Sequence, residues 1–146
     1  DNTVIVDQDG KESVRVNRSD GLAISEIKKM GIRQIIISTE KNNIVSVRAK
    51  KLKIDCFQNI SDKTQILISY CSQEKINLEN VLFIGNDIND KSVMEISGIK
   101  MCPSDAHKEI RDISDFILKK KGGQGVIREL LDYVIVSNSK NNLLSS

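Results

Sequence analysis

The order of apolar and polar positions predicts strands that alternate with helices along most of the chain. Continuous apolar runs at 35–37 and 81–84 are typical of strands buried on both faces of a parallel sheet. Shorter apolar runs predict further strands at 54–57, 99–102 and 116–118. Helical spacing of apolar residues predicts helices over 21–29, 42–51, 61–74, 90–96, 105–111 and 125–136. This alternation predicts an α/β fold in which helices cover both faces of a parallel sheet.

The two ends of the chain depart from this alternation. Short β-prone segments at 4–6 and 14–16 flank an Asp-Gly pair, which favours a tight turn, so we expect a β-hairpin first. Asp20 is positioned to cap the helix that follows. Residues 137–146 are polar and are expected to form a frayed tail after a single domain over residues 1–136.

The composition excludes several classes of function. The 146 residues suffice for one domain, and no apolar run approaches the roughly 20 residues of a membrane span. A formal net charge of +2 provides no broad positive field for nucleic acid. One histidine excludes a multi-histidine metal site, and three widely spaced cysteines support no disulfide framework. The start has no signal-peptide pattern, so we expect a cytoplasmic protein whose chemistry depends on carboxylates.

Polar residues that follow the two most apolar strands predict a phosphate site with a bound cation. Ser38 and Thr39 follow the first run, the segment 85–90 follows the second, and Lys63 stands at a helix start between them. Ligands of open α/β sheets bind outside the carboxyl ends of the strands, where these segments are expected to meet. A hydroxyl and a lysine suit phosphate oxygens, whereas carboxylates suit a hard cation. Each feature alone is more often a helix cap, a solvated lysine or a turn, but the three occur in order.

The same order resembles the haloacid dehalogenase superfamily of phosphatases, with Ser38, Lys63 and 85–90 matching its motifs II, III and IV. The segments 17–24, 48–52, 104–107 and 122–129 look like its small, capless subfamily. That subfamily contains 3-deoxy-manno-octulosonate 8-phosphate phosphatase, the nonulosonate 9-phosphate phosphatases and the C-terminal domain of sialate cytidylyltransferases. The resemblance implies a three-layer, Rossmann-like parallel sheet without a cap domain and with an N-terminal hairpin flap over about 3–17.

The resemblance also implies a role for each motif residue. Ser38 would hydrogen-bond the transferring phosphoryl group, and Lys63 would neutralise its charge and orient the nucleophile. Asp87, with Asp90 nearby, would hold Mg²⁺. The family usually has Gly-Asp-Asp where this chain has Gly-Asn-Asp, so either Asn86 or Asp87 would contact the metal.

Other matching positions bear on the substrate, an acidic sugar phosphate. Glu40 and Lys51 resemble the nonulosonate type, since octulosonate enzymes more often carry Arg in place of Glu40. Arg18 is like the sialate-associated branch, and Lys51, Arg18 and Arg128 are candidates to pair with the substrate carboxylate, with Thr39 also placed at the substrate. Solvated charges on a surface helix are an equal alternative for Lys51. Subfamily members form tetramers in which the opening hairpin and a Gly-rich C-terminal segment complete neighbouring sites; residues 4–16 and the Gly-rich segment 122–128 match those parts, so we expect a homotetramer.

The position of the nucleophile remains the central question. These phosphatases attack phosphorus with the first Asp of an Asp-x-Asp-Gly motif at the end of the first strand. Asp7-Gln8-Asp9-Gly10 offers that string, but aligning Asp20-Gly21 with the subfamily places it on the hairpin turn. We therefore expect the catalytic strand and its motif to precede Asp1.

Two functions follow from these observations. The first is a Mg²⁺-dependent phosphatase that acts on an acidic keto-sugar phosphate. The alternative is a non-catalytic oligomerisation or regulatory domain of an N-acylneuraminate cytidylyltransferase, which Asn86 and the absent nucleophile motif would favour. A receiver-like signalling domain comes last, because it requires an acidic pair at the first strand and leaves the segment 122–129 without a role.

Overall fold

The computed structural model describes residues 5–6, 8–9, 11–13 and 16–145, in which strands and helices alternate. The strands are β1 (Ile5–Val6), β2 (Glu12–Ser13), β3 (Ile35–Ile37), β4 (Asp55–Phe57), β5 (Leu82–Ile84), β6 (Ile99–Cys102) and β7 (Phe116–Ile117). The helices are α1 (Arg18–Lys29), α2 (Ile44–Leu52), α3 (Lys63–Glu74), α4 (Lys91–Glu95), α5 (Lys108–Ile113) and α6 (Val126–Ser145). None of the helices in this part of the chain is long and apolar enough to cross a membrane.

An antiparallel hairpin precedes the first helix. β1 pairs with β2, and Gln8 and Asp9 lie in the turn between them. The pairing agrees with the interpretation of this stretch as a hairpin turn rather than the end of a catalytic strand. The described part of the second strand lies at Glu12–Ser13, just before the expected 14–16. The expected hairpin positions 4, 7, 10, 14 and 15 lie outside the described residues.

The parallel α/β architecture is confirmed, but the described parallel strands form two separate blocks. β3 pairs with β4 in one block, and β5, β6 and β7 pair in that order in the other. No described strand joins β3 to β5. Ile37 of β3 and Phe83 of β5 nevertheless pack against the same apolar cluster, formed by Leu67, Cys71 and Val93. The two blocks therefore have a core in common, with β3 and β5 at their inner edges.

The burial of β3 and β5 fits inner edges that pair with no described strand. Both strands are entirely apolar, yet each of their residues is only half-buried. A central strand of a parallel sheet is normally covered on both faces and hydrogen-bonded along both edges. The half-burial is what a sheet without its middle strand would show. The expectation that this strand lies ahead of Asp1 remains a prediction.

Two expectations about the helices are wrong. Asn17 caps α1 by accepting the Ser19 N–H at 2.9 Å, whereas Asp20 lies within the first turn of that helix. Helix α6 continues through Ser145, where a frayed tail was expected from residue 137. Extending an existing helix fixes one residue for each hydrogen bond gained, so a polar segment can continue a helix that it could not start.

Candidate active site

The loops after β3 and β5 and the start of α3 meet at the carboxyl ends of the parallel strands. Asn89 Nδ2 donates to Thr39 Oγ1 at 3.3 Å, which connects the two loops. The Ile60 N–H donates to the Ser38 carbonyl at 3.1 Å, which holds the segment entering α3 against the loop after β3. Parallel strands end at the same edge, so segments far apart in sequence come together there.

A buried ion pair joins the start of α3 to the loop after β5. Lys63 Nζ lies 2.6 Å from Asp90 Oδ1, and the two side chains are 10% and 5% exposed. Asp90 Oδ2 accepts the Asn86 N–H at 2.9 Å and the Asp87 N–H at 3.4 Å. Both oxygens of Asp90 therefore have protein donors. Asp62 caps α3 and fixes the backbone from which Lys63 extends.

The loop after β5 is held closely against its surroundings. A Cβ at Gly85 would lie 2.7 Å from Asp90 Cβ and would overlap the sulfur of Met94, so a larger residue does not fit there. The Asn86 carbonyl accepts the His107 N–H at 2.9 Å, which connects this loop to the one after β6. The side chains of Asn86 and Asp87 are exposed on this fixed backbone.

The donors of this loop fit a divalent cation as part of a coordination sphere. Asp87 Oδ1 accepts the Ile88 N–H at 2.7 Å, the carboxylate also accepts the Asp90 N–H in a capping box, and the side chain is exposed to solvent. Asn86 adds an amide oxygen, whereas Asp90 is engaged by Lys63. No cluster of three His, Cys, Asp or Glu side chains that could hold a metal ion occurs among the described residues. Mg²⁺ commonly binds one or two carboxylates and completes its shell with phosphate oxygens and water.

Ser38 and Glu40 shape the loop after β3. Ser38 is half-buried, and its Oγ accepts the Glu40 N–H at 3.1 Å, so the hydroxyl hydrogen remains available for an anion. The Glu40 carboxylate accepts the N–H groups of Lys41 at 3.1 Å and Asn42 at 3.4 Å. Glu40 therefore stabilises the turn in addition to any contact with substrate.

The basic residues predicted for the substrate carboxylate fall in two places. Asp20 Oδ1 accepts the N–H groups of Ile127 at 2.9 Å and Arg128 at 3.1 Å, which joins the first turns of α1 and α6. Arg18 opens α1, so the structure brings Arg18 and Arg128 to the same joint. Lys51 lies in the last turn of α2, which leads to the amino end of β4 and thus toward the opposite edge of the sheet.

Two acidic residues that sequence reasoning missed fix the Gly-rich segment. The Glu129 carboxylate accepts the N–H groups of Lys119 at 2.9 Å and Lys120 at 2.8 Å. Asp105 Oδ1 accepts the Gly122 N–H at 2.9 Å, and this bond lowers the pKa of Asp105. Both carboxylates lie within the family-like segments, but their backbone partners become visible only in three dimensions.

A family model described as haloacid dehalogenase-like hydrolase matches residues 7–130. The chain belongs to the haloacid dehalogenase-like hydrolases. A protein from Streptomyces avermitilis that is described as a HAD family hydrolase has a similar structure, with a TM-score of 0.85 and 38% identity over 87% of this chain and 73% of that one.

Other relatives of this haloacid dehalogenase-like hydrolase have a named substrate. The 3-deoxy-D-manno-octulosonate 8-phosphate phosphatase of Escherichia coli K12 is 28% identical over 96% of this chain and 75% of its own. The corresponding phosphatase of Moraxella catarrhalis, solved with magnesium, phosphate and KDO, has a TM-score of 0.88 and 27% identity over 98% of this chain and 83% of that one. The resemblance to sugar phosphate phosphatases and the expectation of a hydrolase are confirmed.

Proposed function

We propose that this chain belongs to the phosphatase domain of a Mg²⁺-dependent enzyme that hydrolyses the phosphate ester of an acidic keto sugar. The observation that carries the proposal is the convergence of Ser38, Lys63 and Asp87 on one edge of the sheet, through contacts between segments distant in sequence. The family relationship supports the chemistry, and the named relatives support the class of substrate.

The nucleophile belongs to a strand that fills the gap between β3 and β5. No described strand pairs with the inner edge of either sheet block, and the apolar residues of β3 and β5 are half-buried, which supports a further parallel strand between them. Such a strand would end between Ser38 and Asp87. An Asp-x-Asp-Gly motif there, encoded ahead of Asp1, would supply the attacking carboxylate and a second carboxyl group as acid and base.

The residues of this chain bind and orient the phosphate. The Ser38 hydroxyl donates to a phosphoryl oxygen, and Lys63 places a buried positive charge beside the site. Asp90 holds Lys63 and, through two backbone N–H groups, the loop that carries Asp87. Asp87 or Asn86 would hold Mg²⁺, which would neutralise charge on the phosphate. Preorganised charges of this kind provide much of the rate enhancement in phosphoryl transfer.

The sugar is a nonulosonate 9-phosphate or 3-deoxy-manno-octulosonate 8-phosphate. The named relatives act on the octulosonate, whereas Glu40 stands where octulosonate enzymes more often carry Arg. Arg18 and Arg128 provide two guanidinium groups for the substrate carboxylate, and their shared joint supports a common target.

A phosphate-release assay on the protein with its native N-terminus tests the proposal. Both keto-sugar phosphates should be hydrolysed with Mg²⁺ and not with EDTA, and their kcat/KM ratio identifies the preferred sugar. Lys63→Ala should abolish turnover, and the matched control Lys50→Ala, on an exposed face of α2, should leave it unchanged. The proposal would be refuted if the wild type hydrolysed neither sugar phosphate.

The non-catalytic alternative rests on a specific observation. Asp90 is buried and engaged by Lys63, so the loop after β5 has one exposed carboxylate, that of Asp87, with Asn86 beside it. A regulatory domain would retain its oligomeric state without Mg²⁺-dependent hydrolysis. Exposed apolar side chains on α1 and α2, with Leu22 at 66% and Val47 at 59%, support the proposed homotetramer in either case. Light scattering measures the mass of the assembly, and the phosphate-release assay distinguishes an enzyme from a regulatory domain.

A further inference from the structure

The N-terminus of α6 is capped by a residue from another helix. A helix begins with N–H groups that lack partners within it, and the residue before the first turn usually supplies an acceptor side chain. That position in α6 is Gly125, which has no side chain and adopts a φ of +98°. Asp20 provides the acceptor instead, across a separation of 107 residues to Ile127.

The surrounding contacts show that this joint is closely fitted. A Cβ at Gly125 would lie 3.5 Å from Ser19 Oγ and 3.8 Å from Asn17 Nδ2, so the chain passes directly over the first turn of α1. The positive φ disfavours any residue other than glycine there. The carboxylate of Asp20 also offsets the positive end of the α6 dipole, so this helix start is already occupied by a fixed anion.

The joint determines the backbone position of a residue proposed to bind substrate. Asp20 Oδ1 accepts the N–H of Arg128 itself at 3.1 Å. The Arg128 side chain is half-exposed, and its Nε lies 3.6 Å from Asp132 Oδ1 one turn further along α6. Ordering an exposed arginine on binding costs free energy, and a fixed backbone lowers that cost. A frayed first turn of α6 would increase that cost.

We propose that Asp20 is a positioning residue for substrate: it fixes the first turn of α6 so that Arg128 is held in place for the carboxylate of the keto-sugar phosphate. This inference rests on the proposed function. It assigns to Asp20 a role in binding the acidic end of the substrate, away from the phosphate. Loss of Asp20 therefore weakens binding in the ground state and the transition state alike.

Two substrates and four variants test this role. In Asp20→Ala, KM for 3-deoxy-manno-octulosonate 8-phosphate should rise about three- to tenfold with kcat nearly unchanged, whereas KM for p-nitrophenyl phosphate, which lacks a carboxylate, should stay constant. Asp20→Asn retains an acceptor oxygen and should restore most of the affinity. Arg128→Ala should reproduce the effect, and the double variant should be no worse than Arg128→Ala.

The control variant, Asp115→Ala, removes a carboxylate-to-backbone hydrogen bond in another part of the fold. Asp115 Oδ2 accepts the Lys100 N–H at 2.8 Å at the amino ends of β6 and β7, so Asp115→Ala loses a carboxylate-to-backbone bond away from the carboxyl edge. Equal effects of Asp20→Ala and Asp115→Ala, equal effects on both substrates, or additive effects with Arg128→Ala would overturn the inference. If the wild type hydrolysed neither compound, the proposed function would fail. Calorimetric binding of the keto-sugar phosphate would then decide the inference, which requires weaker binding in Asp20→Ala and not in Asp20→Asn.

Discussion

Lys63 and Asp90 are 27 residues apart in sequence and form an ion pair of 2.6 Å. The pair is almost fully shielded from water, and the second oxygen of Asp90 binds two backbone N–H groups of the candidate metal loop. One carboxylate thus holds both the lysine proposed to contact phosphate and the backbone of the residues proposed to contact the metal.

Removing one member of this pair should destabilise the protein strongly. Asp90→Ala leaves the Lys63 ammonium buried without its anion, and we expect the free energy of unfolding to fall by about 3–5 kcal/mol. Asp90→Asn, which retains the oxygen that accepts the backbone N–H groups, should lose less. Urea denaturation measures both changes. A loss below about 1 kcal/mol in Asp90→Ala, typical of an exposed pair, would contradict the description of the pair as buried and coupled.

Introducing an acidic residue at position 86 should strengthen metal binding. Asn86→Asp adds a carboxylate beside Asp87, and a hard cation binds more tightly as the charge of its oxygen ligands increases. We expect the dissociation constant for Mg²⁺ to fall several-fold in isothermal titration. Asn80→Asp adds the same charge before β5, away from the loop, and should leave metal affinity unchanged. Equal effects of the two substitutions would indicate a general charge effect rather than a ligand at position 86.

The bond from Gly122 to Asp105 should contribute to stability above acidic pH. The Gly122 N–H lowers the pKa of Asp105, so the ionised carboxylate is favoured in the folded state. The sign follows from linkage: the contribution is fully present above the ordinary pKa of 3.8 and is lost as the pH falls through the lower folded value. The urea midpoint of the wild type should therefore fall between pH 6 and pH 3. The fall should be smaller in Asp105→Asn, whose side chain has no charge to lose. An unchanged pH dependence in this variant would contradict the prediction.

A side chain at Gly98 should disrupt the entry to β6. A Cβ there would overlap the carbonyl group of Glu79, and backbone atoms cannot move aside as a flexible side chain can. We expect Gly98→Ala to lower the free energy of unfolding by about 1–3 kcal/mol. Gly21→Ala is the matched control, because its new Cβ would meet only the side chains of Leu52 and Arg48 at 3.3 and 3.4 Å. Thermal unfolding should show a lower midpoint for Gly98→Ala alone.

Local pattern predicted the elements with fair accuracy. The apolar runs placed β3 and β5 within a residue of their observed positions, because a continuous run of apolar residues between polar segments has few other stable environments. The loops after these strands were also expected to meet, because parallel strands end on the same side, and the bond from Asn89 to Thr39 joins them. The helix caps were less predictable. Asp20 has the residue type of a cap, but which helix it caps depends on tertiary contacts.

The sequence by itself determined the order of strands and helices, the family, and the residue types available for phosphate and metal. Only the tertiary structure showed that Asp90 is committed to Lys63, that Asp20 belongs to the start of α6, and that no described strand pairs with the inner edges of β3 and β5. The physical reason is the distance along the chain over which each interaction acts. Periodicity and turn chemistry act between near neighbours, whereas a carboxylate takes its partner from whichever donors folding brings within about 3 Å.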